Sequence, residues 1–364
     1  MQLAFYISGH GFGHASRQIE IINAVARRLP NASVLIRSSA PKRLFERTVK
    51  AAYELDPGAA DVGVFQIDSL QPDEDATVDH AREFYSTFDA RAKAEAERLL
   101  AQGVRLVIAD APPLGCEAAA RAGIPSVVVS NFTWDWIYAA YPGFAERAPD
   151  VIPAIQRAYH KATAAWRLPM HGGFETFGTI RDVPFVARHA THTREETRER
   201  LRLPLNRQLA LSSFGGYGDG GIDFDSLDSA EHWDVVVTGN ERPTAARRGT
   251  QFVFEPELYA SGLRYEDLVA ACDAVVTKPG YGIISECIAN RTALVYTARG
   301  RFAEYEVLAG EMPKYLRAQY LDQQSVKAGR WRAALDAAIE RPEPPERAAT
   351  NGADVIAELL VSAC

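Results

Sequence analysis

Cysteine is scarce in this 364-residue chain: Cys116, Cys272, Cys287 and Cys364 show no CxxC spacing and no pairing rhythm. That excludes a disulfide framework and a cysteine-built zinc site, and it fits a reducing compartment. Long apolar runs are missing as well; no stretch approaches the ~18 residues of a membrane-spanning helix. The opening MQLAFYISGHGF has no basic segment ahead of its apolar run, which breaks at Gly9, so it does not read as a signal peptide. Net positive charge is absent: 40 Lys+Arg against 47 Asp+Glu leave −7. Nucleic acid is therefore not the expected main partner, because neutralising phosphates takes a net basic surface. Short-period repeats and low-complexity segments are lacking, and no pattern indicates an oligomeric state. The expectation is a folded cytoplasmic protein. One local basic run, Arg27, Arg28, Arg37, Lys42, Arg43, Arg47 and Lys50, reads either as a solvated face or as a weak contact with an anionic membrane surface.

What is present is the grammar of an α/β protein. The length exceeds what one core usually supports, so two domains are expected. Short β-rich runs alternate with helix-period segments in both halves, which implies βαβ units and parallel sheets. LAFYIS is a buried strand, followed by a helix whose Ile19, Ile22, Ala26 and Leu29 fall on one face. ASVLIRSS is a strand, residues 80–102 a long helix, VRLVIAD a strand, LGCEAAARAG a helix and IPSVVVSNF a strand. Residues 166–190 carry Pro169, Gly172, Gly173, Gly178 and Pro184 with little periodicity, as a crossing between domains would. QLALSSFGG, WDVVVTG, TQFVFEP, AVVT and TALVYTAR repeat the pattern as strands. The expected architecture is two facing Rossmann-like domains with a central cleft, 1–180 and 181–345, and a closing helix in 346–364.

Ligands of doubly wound sheets bind beyond the carboxyl ends of strands, so the strand-to-helix loops hold the candidate site. SGHGFGHASR combines Gly9, Gly11 and Gly13 with His10 and His14. It is not a dinucleotide fingerprint, since the third glycine falls one residue early for GxGxxG. A histidine there either removes a proton from a substrate hydroxyl or merely caps the helix. Asp110 ends the strand VRLVIAD, in which it follows four apolar residues; it either orients a histidine or caps the helix that follows. SSFGGYG offers Ser213, Gly215 and Gly216 as a phosphate cradle. TKPGYGIISE adds a helix N-terminus favouring an anion, with Lys278 beside it and Glu286 two turns in. Glu286 either holds a ribose diol or is an exposed helical carboxylate. NFTWDWIY suits a sugar face or core packing. DFDSLD looks like a metal-binding DxD but lies in a polar loop with no flanking apolar strand, so no metal site is expected.

These pieces resemble GT-B glycosyltransferases of the MurG and UDP-glycosyltransferase type. GHASRQIEIINAVARRL stands where those enzymes start their first helix with Gly-His, and in KPGYGIISE the residues Gly280, Ser285 and Glu286 keep the family spacing. GHGFGHASR, NFTWDWIY, RDVPFVAR, FGG and KPGYGIISE are most similar to the glycosyltransferase-like half of plant L-arabinokinases; no Gly/Ser-rich ATP loop of the sugar-kinase half is present. The resemblance implies an inverting, metal-independent transfer of a hexosyl or pentosyl group from a nucleotide-diphosphate sugar, expected to be UDP-linked, to a hydroxyl acceptor, with no further cofactor. It implies His14 as general base, Asp110 behind it and His10 lining the same cleft. Gly11, Phe12, Gly13, Asn131 and Trp134 would lie on the acceptor side. Ser213, Gly215, Gly216, Lys278, Pro279, Gly280, Tyr281, Gly282, Ser285 and Glu286 would hold the donor. The usual Asp/Gln or Gln/Gln pair for the donor sugar is replaced near RFAEYE, leaving Glu304 and Glu306 as candidates, and Ala293 replaces the family proline. A nucleotide-sugar epimerase or hydrolase, or a non-catalytic nucleotide-sugar sensor, remains the alternative on this scaffold.

Overall fold

The computed structural model describes residues 1–214, 221–228, 231–241 and 247–362. Among them the strands β1 (Gln2–Ile7), β2 (Ser33–Ser38), β3 (Tyr53–Pro57), β4 (Val104–Asp110), β5 (Ser126–Phe132), β6 (Ala164–Gly172) and β7 (Ile180–Asp182) form one sheet. A second sheet holds β8 (Gln208–Ser213), β9 (Trp233–Gly239), β10 (Thr250–Phe254), β11 (Ala274–Thr277), β12 (Ala293–Tyr296) and β13 (Ala318–Tyr320). The orders are β3-β2-β1-β4-β5-β6-β7 and β10-β9-β8-β11-β12-β13, parallel in every ladder. Parallel strands are covered by helices on both faces and so read as unbroken apolar runs; Leu3, Ala4, Phe5, Tyr6 and Ile7 of β1 are all buried. Each sheet reverses its order once beside its first strand, between β1 and β4 and between β8 and β11. Such switch points open a crevice at the carboxyl edge.

Two stretches differ from the sequence reading. The long helix expected over 80–102 is two helices, Glu74–Ser86 and Phe88–Ala101, broken at Thr87. The first begins early because the Asp73 carboxylate accepts from the Ala76 N–H at 2.9 Å, a side-chain cap. Within 166–190, residues 166–172 belong to β6 and the first sheet runs on to Asp182, so the crossing starts beyond that residue. Pro169 hid the strand: it sits where the β5–β6 register shifts, with Met170 at φ 56, so the bulge absorbs the missing N–H.

After crossing to the second domain the chain returns. The Gly352–Ser362 helix buries Ile356, Ala357 and Leu360 in the core formed by Ile19, Ile22 and Val25 of the first domain. The outgoing and returning segments are bonded side by side: Phe185 N–H donates to the Ala349 carbonyl at 3.1 Å and Gly352 N–H to that of Phe185 at 2.9 Å.

A second tie crosses the cleft. The turn 65–72 leaves the first domain, closed by an Ile67 N–H bond to the Gln71 carbonyl at 2.9 Å. It buries Leu70 among Phe214, Trp233 and Val276 of the second domain. Leu70→Ala is expected to cost about 2–5 kcal/mol, read as an earlier urea midpoint; an unchanged midpoint would show the contact to be dispensable.

Candidate active site

The two switch points meet. A β-carbon built on Gly282, at the second, would lie 3.4 Å from the Gly13 Cα at the first. The space left beside this contact, lined by Gly13, Arg17, Asn131, Tyr281, Gly282 and Ser285, measures about 20 Å³, room for one water.

Gly11, at φ 76, turns the chain from β1 into the Phe12–Arg28 helix, a conformation that favours glycine. His14 then lies in the first turn, and its Nδ1 is 3.1 Å from Asp110 Oδ1 at the end of β4. Gly11 occupies the N-cap with no side-chain cap bond, and Pro112 occupies the N-cap after β4, so neither His14 nor Asp110 is a capping residue. Asp110 is fully buried. Burial alone would raise its pKa, but the Arg17 guanidinium and His14 hold the carboxyl below the usual range. A proton on Nδ1 shared with the carboxylate leaves Nε2 as the basic nitrogen of His14, whereas the Arg17 guanidinium, 3.2 Å from the same Nδ1 and able only to donate, favours the other tautomer.

Arg17 is the residue the sequence reading missed. It donates to Asp110 and to the Asn131 side chain, and its terminal nitrogen is 3.2 Å from His14 Nδ1. The available signal was the i,i+3 spacing, which puts Arg17 on the His14 face of the helix. Asp110 therefore serves a guanidinium and an imidazole together. Asn131 is buried with them and also donates to the Pro169 carbonyl at 2.6 Å.

His10 is half-buried, and its Nδ1 accepts the Val64 N–H at 3.3 Å. Burial, reinforced by Arg299, His14 and Lys278, pushes its pKa well below the ordinary value, so the ring is neutral. It meets the Trp134 indole edge-on at 5.9 Å. Trp134 stacks at 5.5 Å on Tyr138 and is buried, as the core-packing reading of NFTWDWIY requires. Phe12 is half-buried and Gly13 exposed.

On the facing domain, Gly280 is the N-cap of the Tyr281–Asn290 helix, following buried Pro279. The Tyr281 ring reaches across to Phe132 at 5.9 Å. Ser285 bonds back to the Gly282 carbonyl at 2.9 Å. Lys278 lies under the 65–72 turn, 3.5 Å from the Gln66 side-chain oxygen; burial and Arg299 push its pKa down to about 7. Ser213 shares a 2.7 Å hydrogen bond with the Tyr265 hydroxyl. Gly215 and Gly216 lie outside the described residues.

Glu286 is buried rather than exposed on its helix, and Arg188, from the crossing segment, donates to its Oε1, one bond measuring 2.8 Å. Burial raises its pKa, Arg188 opposes this, and neighbouring Glu266 adds to the rise. A ribose diol at Glu286 would share the carboxylate with Arg188. Glu304 is buried 3.3 Å from Arg299, whereas Glu306 is exposed, so only the former joins the cluster.

The 223–228 run forms a turn in which Asp223 accepts from Asp225 N–H and Ser226 Oγ. Among the described residues no His/Cys/Asp/Glu group is placed to hold a metal, and no helix is long and apolar enough to cross a membrane. In the basic run, Arg37 pairs with Asp56 and Glu95, Lys42 with Glu46, and Arg28 with Asp354 and Glu358.

No family model matches the chain. It is 28% identical over 367 residues to L-arabinokinase of Arabidopsis thaliana, covering 98% of this chain and 34% of that protein, so it spans about a third of the relative's length. Among solved structures, CalG4, the calicheamicin glycosyltransferase, matches with TM-score 0.62 and 15% identity, covering 99% of this chain and 97% of that one. Phytolacca americana UGT2, complexed with UDP-2fluoro-glucose and pterostilbene, matches with TM-score 0.58 and 14% identity, covering 99% and 94%. The fold is that of the GT-B glycosyltransferases.

Proposed function

We propose that this chain transfers a sugar from a nucleotide-diphosphate donor, UDP-linked, to a hydroxyl acceptor, with inversion and without a metal. The observation that carries the reading is the meeting of the two switch points. A histidine–carboxylate pair stands on one side, and a helix N-terminus with Lys278 and Arg299 on the other. The acceptor hydroxyl oxygen would bond to the anomeric carbon as that carbon's bond to the diphosphate breaks. The bonding pair leaves with the phosphate, and the hydroxyl proton passes to His14 Nε2, with Asp110 steadying the imidazolium. The N–H groups opening the Tyr281–Asn290 helix, together with Lys278 and Arg299, would meet the charge growing on the leaving group. These groups supply the charge that a divalent cation contributes in other transferases. His14 is only 7% exposed, so substrate reaches Nε2 when the domains part, and their return excludes water.

The test is a thermal-shift screen of nucleotide sugars, since a ligand binding the native state stabilises it by RT ln(1 + [L]/Kd), followed by assay of released nucleotide across hydroxyl acceptors. No stabilisation by any nucleotide sugar at millimolar concentration sinks the reading. Free sugar or epimerised donor without acceptor would indicate a hydrolase or epimerase. Binding without nucleotide release would indicate a sensor.

Lys278 adds a prediction with a sign. Its amine is pushed down to about 7 because burial and the Arg299 guanidinium disfavour the charged form. A diphosphate beside it would raise that value. UDP binding at pH 8 is then expected to take up protons, and binding well below pH 7, where the amine is already charged, is not. Calorimetry in two buffers of different ionisation enthalpy measures the uptake; Lys278→Met should abolish it.

A further inference from the structure

A second carboxylate stands behind the histidines. Asp61 follows β3 in the segment leading to the 65–72 turn and is 6% exposed. Its Oδ2 accepts the Trp134 indole N–H at 2.7 Å and its Oδ1 accepts the Ser8 hydroxyl at 3.1 Å. Ser8 Oγ in turn accepts the His10 backbone N–H at 3.2 Å. Two residues beyond Asp61, Gly63 packs so closely on His10 that a β-carbon there would lie 2.8 Å from the His10 Cβ. One side chain thus fastens the end of β1, the loop bearing His10, and the indole on which His10 and His14 pack at 5.9 and 6.5 Å.

Charge gives this anchor a second consequence. Arg17 pairs directly with Asp110, which offsets part of the negative charge available to His14. No Lys, Arg or His within ion-pair distance of Asp61 occurs among the described residues. We propose that Asp61 is a positioning residue for the transfer reaction, fixing the His10–Trp134 wall and giving the His14 imidazolium a second, uncompensated counter-charge. This rests on the glycosyl-transfer reading above. The ionisable groups facing Asp61 are His14 and Asp110, with Tyr85 and Tyr138 on the side of the Trp134 core. Burial raises its carboxyl to about 6 against the pull of His14 and of the two hydrogen bonds. The anion is therefore complete only above that pH.

Asp61→Asn is the discriminating change, because an amide oxygen can still accept from the Trp134 N–H while its NH₂ donates to Ser8 Oγ. His14 ring resonances, followed by NMR through a pH titration, should show the midpoint moving to lower pH by about one unit, the scale of losing one nearby charge. The acid limb of kcat/KM should move the same way, with kcat falling roughly tenfold, within the range of general-base effects, and the KM for donor unchanged. Trp134→Phe keeps the charge and removes the indole donor, so its His14 midpoint should stay at the wild-type value. In the unmutated protein the His14 resonances should register the Asp61 titration as a second inflection, which tests the coupling without any variant. An unmoved midpoint in Asp61→Asn, equal movement in Trp134→Phe, or a missing second inflection each overturns the assignment. A moved midpoint in a protein that turns over no nucleotide sugar supports the Asp61–His14 coupling and overturns the transfer reading instead.

Discussion

His14→Ala should lower kcat by roughly 10²–10⁴-fold while UDP affinity stays within about twofold of wild type, since the groups proposed to meet the diphosphate all lie on the facing domain. The size follows from what is lost. Without Nε2 the attacking hydroxyl keeps its proton as the new bond forms, and neither neighbour can replace the ring. His10 already accepts the Val64 N–H through Nδ1, and burial with adjacent cations makes it a weak base. Asp110 is occupied by Arg17. Nucleotide released in the presence of acceptor, measured alongside UDP binding by calorimetry, separates chemistry from donor affinity. Wild-type turnover in the purified variant would remove His14 from the reaction.

Asp110→Ala carries the largest expected effect on stability, about 3–5 kcal/mol, because it leaves a buried guanidinium without its counter-ion. Arg17 is only 8% exposed and would keep its contacts to Asn131 and the His14 ring, neither of which carries a negative charge. The pH dependence has a definite direction. The folded carboxyl titrates below its unfolded value, so its contribution is present above the ordinary aspartate range near 4 and is lost as pH falls through the lower folded value. Pairing Asp110→Ala with Arg17→Leu removes both charges and should recover part of the loss. Urea unfolding of the two single variants and the double gives the coupling; simple additivity would show that the pair does not stabilise the fold.

The sequence showed the fold where burial is two-sided. β1, β4, β5, β11 and β12 carry apolar stretches of three to five residues because helices cover both faces, and the turn residues that bound them mark them as short strands. It hid β3, whose Tyr-Glu-Leu-Asp-Pro mixes charge into an edge strand, and β6, whose bulge carries a proline. The His14–Asp110 pair was legible because the switch-point rule names the loops in advance. Arg17 was not, since an arginine on an amphipathic helix ordinarily reads as solvated. Asp61 lies in DPGAADVG, which has no periodicity to mark one aspartate from another. The Arg188–Glu286 bond joins residues 98 positions apart, a pairing that local pattern does not encode.

The double passage of the backbone between the domains decides how they part. Phe185 is bonded to both Ala349 and Gly352, so the connection is a two-stranded ribbon rather than a single cord. A ribbon bends easily about its flat axis and resists torsion, which makes it a spine. Opening about that spine would also have to draw Leu70 out of the second domain's core, so the 65–72 turn is the clasp opposite the hinge.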